Sequence, residues 1–249
     1  MELSIGKQAI VWRSVLPLWP MHDFRQAFTV LYEDNHLLLV NKKAGILVQG
    51  DKTGDVPLVE YAKEYVKQAY QKPGAVFMGL VHRIDRPVSG LVVLAKTSKA
   101  LERMNKIFQT REVRKTYWAV VEGVPAEAEG TLIQWLKKDE QKNKTTVFSR
   151  EIEGALRSEL SYRLLRIMEG KSLLEVQPLT GRPHQIRAQL ASLKCPIVGD
   201  LKYGASKAMP DASIMLHARA IRFVHPVKKE EIYQEAPVPA QGLWQSFTN

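Results

Sequence analysis

From Thr116 to Leu179 the chain runs through five short apolar segments in succession, TYWAVVEG, TLIQWL, TTVFS, LSYRLLRI and SLLEVQPL. Their length and their content of β-branched and aromatic residues read as strands. Strands that follow one another without a crossover helix pair antiparallel. Helical spacing shows elsewhere: Leu58, Tyr61, Ala62, Tyr65, Val66 and Ala69 recur at the helical period, with Pro57 ahead of them and Pro73-Gly74 behind. Leu101, Met104, Ile107 and Phe108 mark a second helix, with Ser98 as its N-cap. Upstream, Val30-Leu31-Tyr32 and Leu37 to Val40 flank Glu33-Asp34-Asn35 as a hairpin. A few helices among many strands, without strict alternation, predict an α+β fold around a mixed, largely antiparallel sheet.

The segment GRPHQIRAQLASLK reads as a helix from Pro183 behind a turn at Gly181, which sets Arg182 at the helix start and lets it point into a cleft. KKDEQKNK, residues 137–144, reads as a solvated hairpin connection. IMLHARAIRFVHP is a late strand whose His217 and His225 are taken as structural or surface residues. Residues 1–27 show no clear period and form an N-terminal extension, residues 28–235 one compact domain, and residues 236–249 a C-terminal tail.

The chain carries 36 Lys and Arg against 26 Asp and Glu, a formal net charge of +10. That excess favours a polyanionic partner such as nucleic acid. A membrane surface attracts the same charge but ranks lower: AIVWRSVLPLWP is short and is interrupted by Arg13, Pro17 and Pro20. The single cysteine, Cys195, excludes an intramolecular disulfide and a multi-thiolate zinc site, and its apolar neighbours suit a small core residue. With no secretion signal legible, the expected location is the cytoplasm.

One carboxylate stands out. In VHRIDRPVSG, residues 81–90, Asp85 lies between Arg83 and Arg86, and Pro87 and Ser89-Gly90 form a turn before the apolar run LVVLAKT. Positive neighbours favour an ionised carboxylate, and loops held by rigid strands often carry catalytic groups. Two more segments, RKTYWAVVEG and LTGRPHQIRAQL, likewise set basic residues beside a polar or aromatic group at an element boundary. Brought together, the three make a pocket with Asp85, Tyr117 and Arg182 inside and Arg83, Lys115, His184 and Arg187 at its rim. Capping and packing of a helix is the alternative for His184, Gln185 and Arg187.

These three segments, with YEDNHLLLVNKKAG upstream and PIVGDLKYG downstream, resemble the RluA-type pseudouridine synthases over about Phe28 to Pro226. The resemblance implies an isomerase that converts selected uridines of structured ribosomal or transfer RNA to pseudouridine, on a mixed sheet cleft by the active site, without metal or organic cofactor. It implies that Asp85 is the essential carboxylate, as nucleophile or as base, that Tyr117 lies against the uracil ring, and that Arg182 pairs with Asp85. Arg83 would enter the RNA where the target base has left, and the other basic residues would hold phosphates. A monomer is expected from the family. The family's frequent N-terminal S4 RNA-binding domain has no room in this sequence.

The chain departs from the family pattern at Lys43, where proline is common, at Val88, where threonine is frequent, and at Pro183 and Gln189. Rival readings are a binding-only protein of the same fold, a metal-dependent nuclease assembled from Asp34, Asp85 and Asp200, and a glycosidase using Glu33, Asp34 or Asp200 as a second carboxyl beside Asp85.

Overall fold

The computed structural model describes residues 23–240 and 242–248. In chain order its elements are β1 (Phe28–Glu33), β2 (Leu37–Lys42), α1 (Leu58–Ala69), β3 (Gly79–Leu80), β4 (Ser89–Ala95) and α2 (Ser98–Gln109). There follow β5 (Arg114–Glu122), β6 (Glu129–Asp139), β7 (Lys144–Phe148), β8 (Leu156–Met168), β9 (Lys171–Pro178) and α3 (Gln185–Ser192). The described part ends with β10 (Leu216–Val224), β11 (Glu231–Glu235) and α4 (Leu243–Thr248). One sheet runs in the order β1-β2-β4-β10-β5-β9-β8-β6-β7, with β3 on β4 and β11 on β10. Every pairing is antiparallel except β4 with β10. The α+β reading with a mixed, largely antiparallel sheet holds.

Strands β2 and β4 are covered on both faces, so LLLV and LVVLA are apolar at every position rather than at every second one. The outer strands β6 and β8 alternate between covered and exposed positions, as a sheet with one wet face requires. Helix α1 buries Leu58, Ala62 and Val66, each four residues from the next, and α2 buries Ala100 and Met104. Each large apolar side chain so covered contributes about 1.5–3 kcal/mol. The N-cap of α2 is Thr97, not Ser98: the Thr97 hydroxyl accepts the Ala100 N–H at 3.2 Å, and Ser98 is already the first helical residue.

The single parallel pair is the hinge of the architecture. Its register, His217 with Ser89 and Ala218 with Gly90, joins the end of the Asp85 loop to the late strand. Gly90 is required there: its φ is +113°, and a Cβ would lie 2.4 Å from the Ala218 carbonyl oxygen. His217 is fully buried beneath this junction. Its Nε2 faces the Ala236 carbonyl at 3.1 Å and must carry the proton, so Nδ1 accepts the Ser89 hydroxyl at 2.8 Å. His225 is buried too, with Nδ1 accepting the N–H groups of Val227 and Lys228.

Of the sequence stretch read as an N-terminal extension, residues 1–22 lie outside the described residues. Phe24, however, packs edge-on against Tyr65 and beside Phe28, so that stretch already contributes to the core by Phe24. The stretch read as a tail carries α4, whose Trp244 and Phe247 are buried, with Trp244 edge-on to His217. Residues 140–143 form the turn of the β6–β7 hairpin. Cys195 is buried in the core. No described helix is long and apolar enough to cross a membrane.

Candidate active site

A cleft of about 330 Å³ opens at the centre of the sheet, where the loop before β4, strand β5 and the turn before α3 meet. All seven residues named from the sequence line it: Arg83, Asp85, Lys115, Tyr117, Arg182, His184 and Arg187. Phe108 of α2, Thr180 and Leu216 add to its wall.

The Asp85 loop is braced from behind. Val88 N–H closes a turn on the Asp85 carbonyl at 3.1 Å, and the Arg86 carbonyl accepts the Gly45 N–H at 2.8 Å. Lys42, fully buried, donates from Nζ to the carbonyls of Lys43 (2.9 Å), Ile46 (2.8 Å) and Arg86 (3.3 Å). Burial pushes the Lys42 ammonium down to about 7, opposed by the nearby Asp85 charge. Val88, which stands where a threonine is frequent, is buried and offers no hydroxyl, so the brace is made of backbone and Lys42 instead.

The counter-charge of Asp85 is not its sequence neighbours. Arg86 turns away, pairing with Asp55 at 2.7 Å and donating to the Gly45 carbonyl at 3.0 Å. Arg83 is exposed. The expected pairing with Arg182 is corrected as well: Arg182 donates from Nε to the Arg157 carbonyl at 3.2 Å, while Arg187 Nη1 meets Asp85 Oδ2 at 2.8 Å. The reason is the helix start. Helix α3 begins at Gln185, not Pro183, after His184 takes the left-handed conformation with φ +52°. Arg187 thereby falls in the first turn, directed at Asp85, and Arg182 stays in the preceding turn. That turn is organised by Gln185, buried, whose Oε1 accepts the Thr180 hydroxyl (2.7 Å) and the Arg182 N–H (3.0 Å).

Arg187 is itself held by Asp200. Nε and Nη2 reach the two Asp200 oxygens at 2.7 and 2.9 Å, a bidentate pair with side chains 7% and 1% exposed. The hydrogen bonds and charges of Asp200 and Asp85 outweigh burial and raise the Arg187 pKa, so the guanidinium is permanently charged. Asp85, with its side chain 31% exposed, keeps Oδ1 without a partner among the described residues. One carboxylate oxygen is clamped and the other is free for a reacting atom.

His184, the residue before α3, faces the same Asp85 oxygen as Arg187. The Tyr203 hydroxyl accepts the Thr145 N–H at 2.8 Å and so has its own hydrogen to give His184 Nδ1, 2.9 Å away. The His184 Nε2–H is then left facing Asp85 Oδ2 at 3.8 Å. Burial, with Arg187 and Lys202 nearby, lowers the His184 pKa despite Asp85, keeping the ring neutral near pH 7. Tyr117, on β5 opposite β10, has its pKa raised by burial first and by Asp85 second, so its phenol stays neutral. Its hydroxyl finds no partner in the described residues. Burial lowers the Lys115 pKa.

Sequence reading missed Lys42 and the roles of Asp200 and Tyr203. The signal for the last two was the segment PIVGDLKYG, where Asp200 entered only as a carboxyl of the rival nuclease and glycosidase readings and Tyr203 had no role. Asp34, counted among the carboxylates of the nuclease and glycosidase readings, is engaged instead at the β1–β2 turn by Tyr32, Lys228 and the N–H groups of His36 and Leu37. Among the described residues no cluster of three or more His, Cys, Asp or Glu is placed to hold a metal ion.

Residues 36–192 match the family described as RNA pseudouridylate synthase. The ribosomal large subunit pseudouridine synthase C of Buchnera aphidicola subsp. Acyrthosiphon pisum is 32% identical over 216 residues, which cover 84% of this chain and 67% of the relative. The tRNA pseudouridine synthase C of Vibrio parahaemolyticus is 32% identical over 236 residues, 88% of this chain and 92% of the relative. Among solved structures, human RNA pseudouridylate synthase domain containing 4 superposes with a TM-score of 0.71 at 25% identity, covering 85% of this chain and 88% of its own.

Proposed function

The chain belongs to the RNA pseudouridylate synthase family and is an isomerase acting on RNA, and on that premise we propose that Asp85 is the reacting carboxylate at a uridine flipped into the central cleft. The observation that carries this reading is the asymmetry of Asp85, with one oxygen held by Arg187 and the other without a partner among the described residues. Isomerisation of uridine breaks the bond between N1 and C1′, turns the uracil while it stays bound, joins C5 to C1′, loses the C5 proton and gains a proton at N1. Atoms balance without a redox partner or a transferred group.

A carboxylate serves this sequence as a nucleophile at sugar or ring, or as a base on the sugar, provided its direction is fixed. Arg187 and Asp200 supply that direction. Tyr117 offers a flat ring for the detached uracil and a neutral hydroxyl beside the C5 proton. Hydrolysis to free uracil is disfavoured because Asp200, the carboxylate joined to Asp85 through Arg187, is 1% exposed and held at both oxygens by that guanidinium, which leaves it poorly placed to activate a water.

A uridine stacked in a helix cannot reach Asp85, so the nucleotide is extruded, at a cost of a few kcal/mol. Arg83, exposed at the cleft mouth, is placed to fill the space it leaves, and Lys115, Arg182 and His184 to meet the backbone or the ring. The relatives' names include both ribosomal and transfer RNA, and either fits a protein with a net charge of +10.

Tritium release from RNA carrying [5-³H]uridine tests the proposal, with a chelator present throughout. Release by the wild type and none by Asp85→Asn is expected, since only a reaction that replaces the C5 hydrogen frees the label. Release by Asp85→Asn at the wild-type rate would remove Asp85 from the chemistry. Absence of release by the wild type, on total RNA from cells lacking the protein, would favour an RNA-binding role.

A further inference from the structure

Beside the catalytic cleft lies a second, shallower groove of about 440 Å³ that shares Phe108, Lys115 and Arg182 with it. The groove adds Asn105, Gln109 and Arg111, from α2 and the turn after it. Its lining contains no carboxylate. Asn105, Gln109, Arg111 and Lys115 form no side-chain hydrogen bond or ion pair among the described residues. Gln109 and Arg111 are exposed and Asn105 and Lys115 half-buried, so all four polar ends are open to a ligand lying in the groove.

The types and spacing are those of a nucleotide site. Asn105 and Gln109 are four residues apart on α2, so their amides share a face and can together meet donor and acceptor edges of a base. Phe108, whose ring stacks on His82 with centroids 5.0 Å apart, and Leu179, 45% exposed, give an apolar floor between them. Lys115 Nζ lies over Gly181, 3.9 Å from where a Cβ would stand, at the junction of cleft and groove. An ammonium there, half-buried and without a carboxylate, suits a phosphate that links one nucleotide to the next.

We infer that this groove holds the nucleotide adjacent to the target uridine, with Asn105 and Gln109 reading its base and Lys115 and Arg111 its phosphates. The inference rests on the uridine-isomerising reading of the cleft and deepens it: a strand whose target nucleotide fills the cleft must continue out of it, and the groove is the basic, acid-free space continuous with it. Choice of target would then depend on the neighbouring base as well as on uridine itself. An acidic peptide would use Arg111 and Lys115 but leave the amide pair and the apolar floor without purpose.

Hairpin oligoribonucleotides carrying one [5-³H]uridine, with each of the four bases placed in turn on its 5′ and 3′ sides, test this. The wild type should discriminate among bases at one flank, and Asn105→Ala with Gln109→Ala should raise KM for the preferred base about tenfold, so that the four converge. Arg111→Gln should reduce the slope of log affinity against log salt by about 0.7, the loss of one single-strand phosphate contact. Unchanged discrimination and an unchanged slope, with an active wild type, would overturn the inference while leaving the function intact. An inactive wild type would overturn the function, and fluorescence anisotropy of the same hairpins would still decide on the groove: equal affinity and equal slope for wild type and Arg111→Gln would sink it. Displacement by poly-glutamate but not by the hairpins would assign the groove to an acidic protein segment and overturn it too.

Discussion

Replacing Asp200 by asparagine should destabilise the protein more than replacing Asp85 does. Asp200 gives Arg187 two charge-assisted hydrogen bonds at 2.7 and 2.9 Å from a site 1% exposed. Asparagine keeps the shape and one acceptor, but sets an NH2 donor against a guanidinium N–H. One charge-assisted bond of about 1.5–3 kcal/mol is lost, and Arg187 stays buried with Asp85 as its remaining counter-charge. Removing one partner of a buried ion pair costs about 3–5 kcal/mol, which puts the expected loss near 3 kcal/mol.

For a chain of this size that is a fall in Tm of about 6–12 °C by differential scanning calorimetry. Asp85 contributes a single bond to Arg187 from a side chain 31% exposed, so Asp85→Asn should cost about 1 kcal/mol or less. The order of the two effects is the test. If Asp85→Asn lowers Tm as much as Asp200→Asn, or if Asp200→Asn lowers it by less than about 2 °C, Arg187 is not anchored through Asp200 and the account of how Asp85 is oriented fails.

Three further outcomes can be measured. Tyr203→Phe removes the acceptor of the Thr145 N–H and the donor to His184 Nδ1; it should cost about 1–3 kcal/mol, and ¹⁵N spectra of the histidine ring should change from the Nε2–H tautomer to a mixture, whereas an unchanged ring spectrum would contradict the assignment. His217, pushed down to about 4 mainly by burial, binds its proton in the unfolded chain from about pH 6.5. Its folded pKa is the lower one, so its stability contribution is present above about pH 6.5 and declines as pH falls towards 4, by at most about 1.4 kcal/mol per pH unit; in His217→Gln, urea titrations at a series of pH values should show that part of the slope missing. Gly90→Ala forces a Cβ into the Ala218 backbone and should abolish cooperative unfolding, and a folded, soluble variant with wild-type Tm would refute the close approach of β4 to β10.

The strands and the two long helices were legible because their signals are local: continuous apolar runs for β2 and β4, a four-residue recurrence for α1. The Asp85 loop was legible for the same reason, as a charged turn between predictable elements. What failed was partnership. Arg86 is beside Asp85 in sequence and pairs with Asp55, whereas Arg187 is 102 residues away and pairs with Asp85. The choice between Arg182 and Arg187 turned on a left-handed histidine, a backbone state that intrinsic preference disfavours and tertiary contacts impose. Lys42 was invisible because lysine is almost never buried without a paired charge, and here three main-chain carbonyls take that place.

The parallel contact between β4 and β10 also sets when the site can exist. Ser89 and His217 are 128 residues apart along the chain, and their bond closes the sheet between the Asp85 loop and everything downstream. Contacts of such separation form late in folding, because the intervening loop must be ordered before they return any stability. A nascent chain that has emerged only as far as β9 would have the carboxylate but neither the arginine that aims it nor the strand that seats its loop, and the edge of β4 facing β10 would be unpaired. Competence therefore arrives in a single late step, and a chaperone that shields one strand edge would be matched to that interval.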